Sequence, residues 1–175
     1  AVTTGVQNTL IGGLAGDALT DADSNVSMGY QSLSGDTLGS KSVAVGAFSL
    51  NVQNFTSATD SLNTAVGYAS GGAVTTGVQN TLIGGLAGDA ITTASYNTAV
   101  GQNALGSTTT GLNNTAVGRT SLFANTTGTQ NVAIGMDALQ QNTTGANNTA
   151  VGRSALIANT TGTTNTAVGV SALAA

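Results

Sequence analysis

Asn114-Thr115-Ala116-Val117-Gly118 is followed by Asn131-Val132-Ala133-Ile134-Gly135 and then by Asn148-Thr149-Ala150-Val151-Gly152. The signature can be traced along the whole chain by its glycine: Gly12, Gly29, Gly46, Gly67, Gly84, Gly101, Gly118, Gly135, Gly152 and Gly169. Eight of the nine intervals are 17 residues, and the one from Gly46 to Gly67 is 21. A period held this tightly puts each unit in the same structural place as its neighbour, so the chain is a stack and not a globule.

Within one unit the residue before the glycine is always aliphatic, as at Val66, Val100, Val117, Ile134, Val151 and Val168. A β-branched Thr or Val stands two residues earlier, usually with Ala between. This is period-two alternation in a β-prone segment, the pattern of a strand with one face buried. We expect the aliphatic position to be the core face. Three residues after the glycine comes Ala or Ser, and next Leu (Leu105, Leu122, Leu139 and Leu156), replaced in three units by Gly16, Gly71 and Gly88. That Leu predicts a second inward contact. A turn follows, usually Thr-Thr-Gly, and an Asn precedes the next strand in nine of ten units, with Ser42 the exception. Helical repeats are excluded by the glycines, the Thr, Asn and Val content, and the absence of apolar spacing of three and four. The reading is an all-β parallel β-solenoid of ten coils of about 17 residues, about 48 Å long at strand spacing. The four extra residues before Gly67 predict an enlarged turn near residues 51–62.

Composition narrows the function. Charged residues make up 6% of the chain, with three basic residues (Lys41, Arg119 and Arg153) and seven acidic ones, all Asp; typical soluble domains have about 25%. So sparse a positive charge argues against a nucleic-acid partner. No run approaches the ~20 apolar residues of a membrane span, so no membrane insertion is expected in this segment. Histidine, cysteine and glutamate are absent, which leaves no usual base or thiol nucleophile, and a non-enzymatic chain without cofactors is expected. Asp17 and Asp89 occupy equivalent positions but lie four units apart, about 19 Å at strand spacing, and cannot share a proton. Asp21-Ala22-Asp23-Ser24-Asn25 starts like a calcium loop, which makes Asp21, Asp23 and Asn25 weak metal candidates. Val26 replaces the required glycine and the closing acid is missing, so solvated turn carboxylates and no metal are expected. The positions that vary between coils, Tyr30, Phe48, Tyr68, Arg119, Asp137 and Arg153, are the candidate recognition turns.

Two features bear on assembly. Residues 1–19 and 73–91 match at every position but the last, a copied block of coils that suits a part whose length matters. Each coil offers only one Val-like and one Leu-like core side chain against the backbone entropy of 17 ordered residues, so packing of several copies side by side is expected. The chain opens and closes within a repeat, without a capping unit. Residues 1–175 are therefore expected to form one solenoid region inside a longer fibre, with targeting signals elsewhere.

Gln130-Asn131-Val132-Ala133-Ile134-Gly135 and Ser42-Val43-Ala44-Val45-Gly46 resemble the Asn-Ser-Val-Ala-Ile-Gly repeat of the YadA-like heads of trimeric autotransporter adhesins. Asn113-Asn114-Thr115-Ala116-Val117-Gly118 and Asn147-Asn148-Thr149-Ala150-Val151-Gly152 match it with Thr-Ala-Val. The longer unit Ala-Leu-x-x-Asn-Thr-Thr-Gly-x-x-Asn-Thr-Ala-Val-Gly is similar to repeats of phage tail fibres and large bacterial surface fibres. The resemblance covers all ten units. It implies a left-handed parallel β-roll with inward aliphatic positions, three chains side by side, and a role in attachment at a cell surface, extracellularly or on a virion. The implied partners are two further copies of the chain and a host surface receptor or glycan. The adhesin repeat is usually a few residues shorter, so the outer turn is expected to be larger here, which tilts the expectation toward a phage tail fibre. The alternatives are an ice-binding Thr-rich β-solenoid, through stacked Thr-Thr positions, and a single-stranded extracellular filament.

Overall fold

Each signature segment forms a strand of three residues, because β-branched side chains alternate with a small one and glycine then ends the extended run. The computed structural model describes residues 2–174. Its strands are β1 (Thr9–Ile11), β2 (Val26–Met28), β3 (Gly39–Ser40), β4 (Val43–Val45), β5 (Thr59–Asp60), β6 (Thr64–Val66), β7 (Thr81–Ile83), β8 (Thr98–Val100), β9 (Thr115–Val117), β10 (Val132–Ile134), β11 (Thr149–Val151) and β12 (Thr166–Val168). Ten of them form one sheet in the order β1-β2-β4-β6-β7-β8-β9-β10-β11-β12, and β3 pairs with β5 in a second sheet. Every pairing is parallel and in register, as in Thr98↔Thr115 and Thr115↔Val132. The chain is thus a parallel β-solenoid of about nine turns. No helix occurs among the described residues.

Three corners close each coil. In one coil Asn113, Thr120 and Leu122 take φ of 58°, 55° and 50°, and the signature Gly118 takes 135°. Gly118 is fixed twice over, since a Cβ there would also lie 2.6 Å from the Gly135 carbonyl of the next coil. Only glycine meets both demands. Leu122 accepts a left-handed backbone, at a cost of about 1 kcal/mol, and in return its side chain is fully buried.

The expected strand orientation is corrected here. Val66, Val100, Val117 and Val151 are only half-buried, Ile134 is 40% exposed and Val168 71%, so none of these six is core. The side chain between the β-branched pair points inward instead: Ala65, Ala99, Ala116, Ala133 and Ala150 are fully buried. The coil is too narrow for a large residue at every strand, and a methyl group fills the space that Leu105, Leu122, Leu139 and Leu156 leave. Those four leucines are buried as expected.

A ladder of amides lines one corner of the interior. Asn114 donates its backbone N–H to Asn97 Oδ1 at 2.9 Å, and its Nδ2 to the Gly128 carbonyl at 2.9 Å and to Asn97 Oδ1 at 3.3 Å. Asn80, Asn97, Asn131 and Asn148 repeat this arrangement. Each rung satisfies a buried strand-entry N–H and a buried turn carbonyl, which is why the sequence keeps Asn there. A second column is linked by side-chain hydrogen bonds, Asn142 Nδ2 donating to Asn125 Oδ1 at 3.0 Å and Asn159 Nδ2 to Asn142 Oδ1 at 2.9 Å.

The enlarged turn is more than a bulge. Val43 still pairs with Thr64 across the 21-residue unit, β5 returns to pair with β3, and Phe55 is only 6% exposed. Gln53 is fully buried and repairs the rung broken at Ser42. Its Nε2 donates to Ser42 Oγ at 2.9 Å and to Asp36 Oδ2 at 2.6 Å, while its Oε1 accepts from Asn63 Nδ2 at 2.8 Å. No buried side-chain nitrogen or oxygen among the described residues is left unpaired.

Candidate functional site

The chemistry available on this molecule lies on its outer faces. The parallel sheet presents two columns outward. One is aliphatic and unbroken: Ile11, Met28, Val45, Val66, Ile83, Val100, Val117, Ile134, Val151 and Val168. The other carries Thr in seven coils and Val in three: Thr9, Val26, Val43, Thr64, Thr81, Thr98, Thr115, Val132, Thr149 and Thr166. Ten in-register strands therefore make a largely apolar strip along the stack. Sequence reasoning had assigned its aliphatic column to the interior. Alternation separates two faces but does not say which is inside, and here the small residue was the inward signal.

The Thr-Thr turns, followed by Gly or, at residue 94, by Ala, form a different surface. The hydroxyls of Thr92, Thr109, Thr126 and Thr143 donate to the backbone carbonyl of the next coil at 3.0–3.3 Å. These threonines are a structural ladder on a turn, and their donors are used. Thr93, Thr110, Thr127 and Thr144 beside them are exposed.

All six candidate recognition residues fall in two adjacent columns just past the sheet. Tyr30, Tyr68, Arg119 and Arg153 follow the signature glycine directly. Phe48 and Asp137 come one residue later, at φ of 61° and 59°. The structure brings Tyr30, Phe48 and Tyr68 together across three consecutive coils, with ring centroids 5.5 and 5.9 Å apart in edge-to-face geometry. It also gathers Arg119, whose Nη2 lies 3.4 Å from Met136 Sδ and 3.9 Å from Asp137 Oδ2. Thr120 donates to the same Asp137 carboxylate. Arg153 stands two coils beyond Arg119 on the same column.

The acidic segment at residues 21–25 is pulled apart by the fold. Asn25 is a buried rung, donating to the Gly39 carbonyl at 3.0 Å and accepting from Ser42 N–H at 2.8 Å. Asp21 accepts from Thr4 Oγ1 at 2.7 Å and Asp23 from the Val6 N–H at 2.8 Å. The three do not converge, and no cluster of three acidic, His or Cys side chains that could hold a metal occurs among the described residues. A recess of about 370 Å³ at the last coil is lined by Leu156, Asn159, Thr160, Asn165 and Leu173, all neutral. Burial raises the Asp89 carboxyl above the ordinary carboxylate value, partly opposed by a backbone hydrogen bond.

The class defined by this architecture is a parallel β-solenoid with coils of about 17 residues and one ten-stranded sheet along the stack. Comparison with protein-family models, curated proteins and solved structures finds no match to the chain.

Proposed function

We propose that this chain is a structural, attachment-related segment of a trimeric extracellular or virion fibre, of phage tail-fibre or bacterial-adhesin type, and that it is non-catalytic. The observation that carries this reading is the aliphatic column from Ile11 to Val168, which runs the length of the sheet with Ile11 53%, Met28 41%, Ile83 39% and Ile134 40% exposed. A continuous apolar strip of this kind is rare on a monomeric surface and marks an interaction site. Side-by-side packing of identical chains would cover it in every coil and stabilise a coil whose interior is mostly alanine. Axial hydrogen bonds in the main sheet link each coil to the next, which suits a stiff rod. Attachment would be carried by the variable columns beyond the sheet, on the cell surface or virion.

The test is charge on the strip. Val100→Lys and Val117→Lys together are expected to convert a trimer into a monomer while the β-sheet circular dichroism persists. A variant that keeps the wild-type mass contradicts the reading.

A second reading has its own support. The Thr column at Thr64, Thr81, Thr98 and Thr115 lies on the sheet, beside the aliphatic column, in register from strand to strand. This is the surface an ice-binding β-solenoid requires, and it lies on the strands instead of the Thr-Thr-Gly turns. Faceting of ice crystals by a monomer would favour it.

A further inference from the structure

Three of the six aromatic residues in the chain share one exposed patch, although nothing in the repeat requires an aromatic there. Tyr30 and Tyr68 are 51% and 60% exposed, and the half-buried Phe48 ring fills the gap between them, edge-to-face with both. The column carrying the tyrosines reads Gly13, Tyr30, Ala47, Tyr68, Gly85, and the next reads Leu14, Gln31, Phe48, Ala69, Leu86. All ten residues are neutral. The tyrosine column is flanked by glycine at both ends, where a Cβ on Gly13 would only touch the Tyr30 ring, at 3.5 Å, and one on Gly85 would meet nothing within 4 Å, while the neighbouring column ends in the apolar side chains of Leu14 and Leu86. The Lys41–Asp60 ion pair involves neither column.

We propose that Tyr30, Phe48 and Tyr68 form a stacking platform for a neutral oligosaccharide lying along the solenoid axis. This rests on the attachment reading above and names the ligand class for that surface. The C–H faces of a pyranose are apolar and its rim is hydroxylated, so it needs aromatic rings with polar edges, which exposed tyrosines supply. An anionic glycan or a nucleic acid would find no cation among the ten positions. A second copy of the chain is matched better by the aliphatic strip on the sheet than by phenolic hydroxyls. Glycine at the flanking positions leaves room for a ligand longer than the three coils.

The experiment is a titration of the full chain with cellohexaose, maltohexaose, the N-acetylglucosamine hexamer and a neutral galactan, followed by proton NMR of the ring signals. With three Tyr, three Phe and no Trp, the aromatic spectrum is simple enough to assign by substitution. At least one probe is expected to shift the Tyr30, Phe48 and Tyr68 rings saturably and to leave Tyr96 unmoved. The double variant Tyr30→Gln, Tyr68→Gln is expected to bind about tenfold more weakly or worse. It should fold, because Gln102 occupies the same column naturally. No shift with any probe, an equal shift at Tyr96, or undiminished binding by the double variant overturns the platform. Loss of assembly by the double variant also overturns it and assigns the patch to a chain–chain seam. A platform that fails while the mass stays trimeric leaves the fibre reading intact; a monomeric wild type with shifted rings does the reverse.

Discussion

Leu82 Cδ2 lies 2.7 Å from the position a Cβ would occupy on Gly88, and Leu82 Cδ1 lies equally close to that position on Gly71. In the Gly88 coil the core volume has moved to the strand at Leu82, whereas the Gly71 coil keeps Ala65 on its strand and its glycine makes room for Leu82 of the next coil and for Leu50 of the previous one, whose Cδ2 lies 3.0 Å from the same virtual Cβ. Where the strand carries Ala116, the coil continues with Leu122 and Asn125. Where it carries Leu82, the coil continues with Gly88 and Ile91, and Ile91 Cδ1 is 2.8 Å from the same virtual Cβ. The two core patterns fill the same narrow interior.

Leu82→Ala is expected to destabilise by about 2–5 kcal/mol through the cavity it leaves. Adding Gly88→Leu should recover part of that loss, whereas Gly88→Leu alone should destabilise by overpacking and by its left-handed backbone. Denaturant titration of the two single variants and the pair checks this. Additive losses would show that the two positions do not share one volume.

The amide ladder sets a second expectation. Asn114→Leu removes the acceptor used by Asn131 N–H, at 3.0 Å, and the donor to the Gly128 carbonyl. The Gly128 carbonyl keeps the Asn125 Nδ2 donor at 3.1 Å, so the loss is set by the unpaired Asn131 N–H, about 1–3 kcal/mol. Amide hydrogen exchange should accelerate first around Asn131, because each coil depends on its neighbours.

Gln53→Ala leaves Asn63 Nδ2 short of one acceptor and removes the Gln53 donor from the buried Asp36 carboxylate. A clear loss of stability is expected, while Gln141→Ala at an exposed site should stay within about 0.5 kcal/mol of wild type. Equal effects at the two sites would show that Gln53 is not a rung.

Asp89 gives a pH dependence with a definite sign. Its carboxyl is raised by burial, so the folded chain holds this proton to higher pH than the unfolded chain does. Its contribution to stability is full below the ordinary carboxylate value and is lost as pH rises through the folded value. Asp89→Asn is expected to raise the thermal midpoint near neutral pH and to flatten this part of the pH profile. An unchanged profile contradicts the assignment.

The repeat was legible in the sequence because glycines such as Gly118 must satisfy both a left-handed backbone and a contact with the next coil, so their spacing reports the coil directly. The inward Leu122 and the Asn114 position were also readable, since Leu recurs in seven of ten coils and Asn in nine. The sense of the strand was not. Val117 and Ala116 alternate whichever of them faces the core, and only the width of the coil decides, a quantity no single unit displays. Leu19, Val74 and Ile91 were missed as core residues because polar residues hold that position in other coils; their pairing with Gly16, Gly71 and Gly88 was the available signal. Gln53 was hidden for a different reason, since its role appears only when the enlarged turn is folded back beside Ser42. The aromatic patch could be listed residue by residue, but its contiguity depends on Phe48 lying one column from the tyrosines.

The most direct measurement is the mass of the folded chain in solution, by light scattering on a size-exclusion column. Side-by-side assembly through the Ile11–Val168 strip predicts three times the 16.9 kDa of one chain. A stable species at 16.9 kDa, with the strip open to solvent, would contradict it.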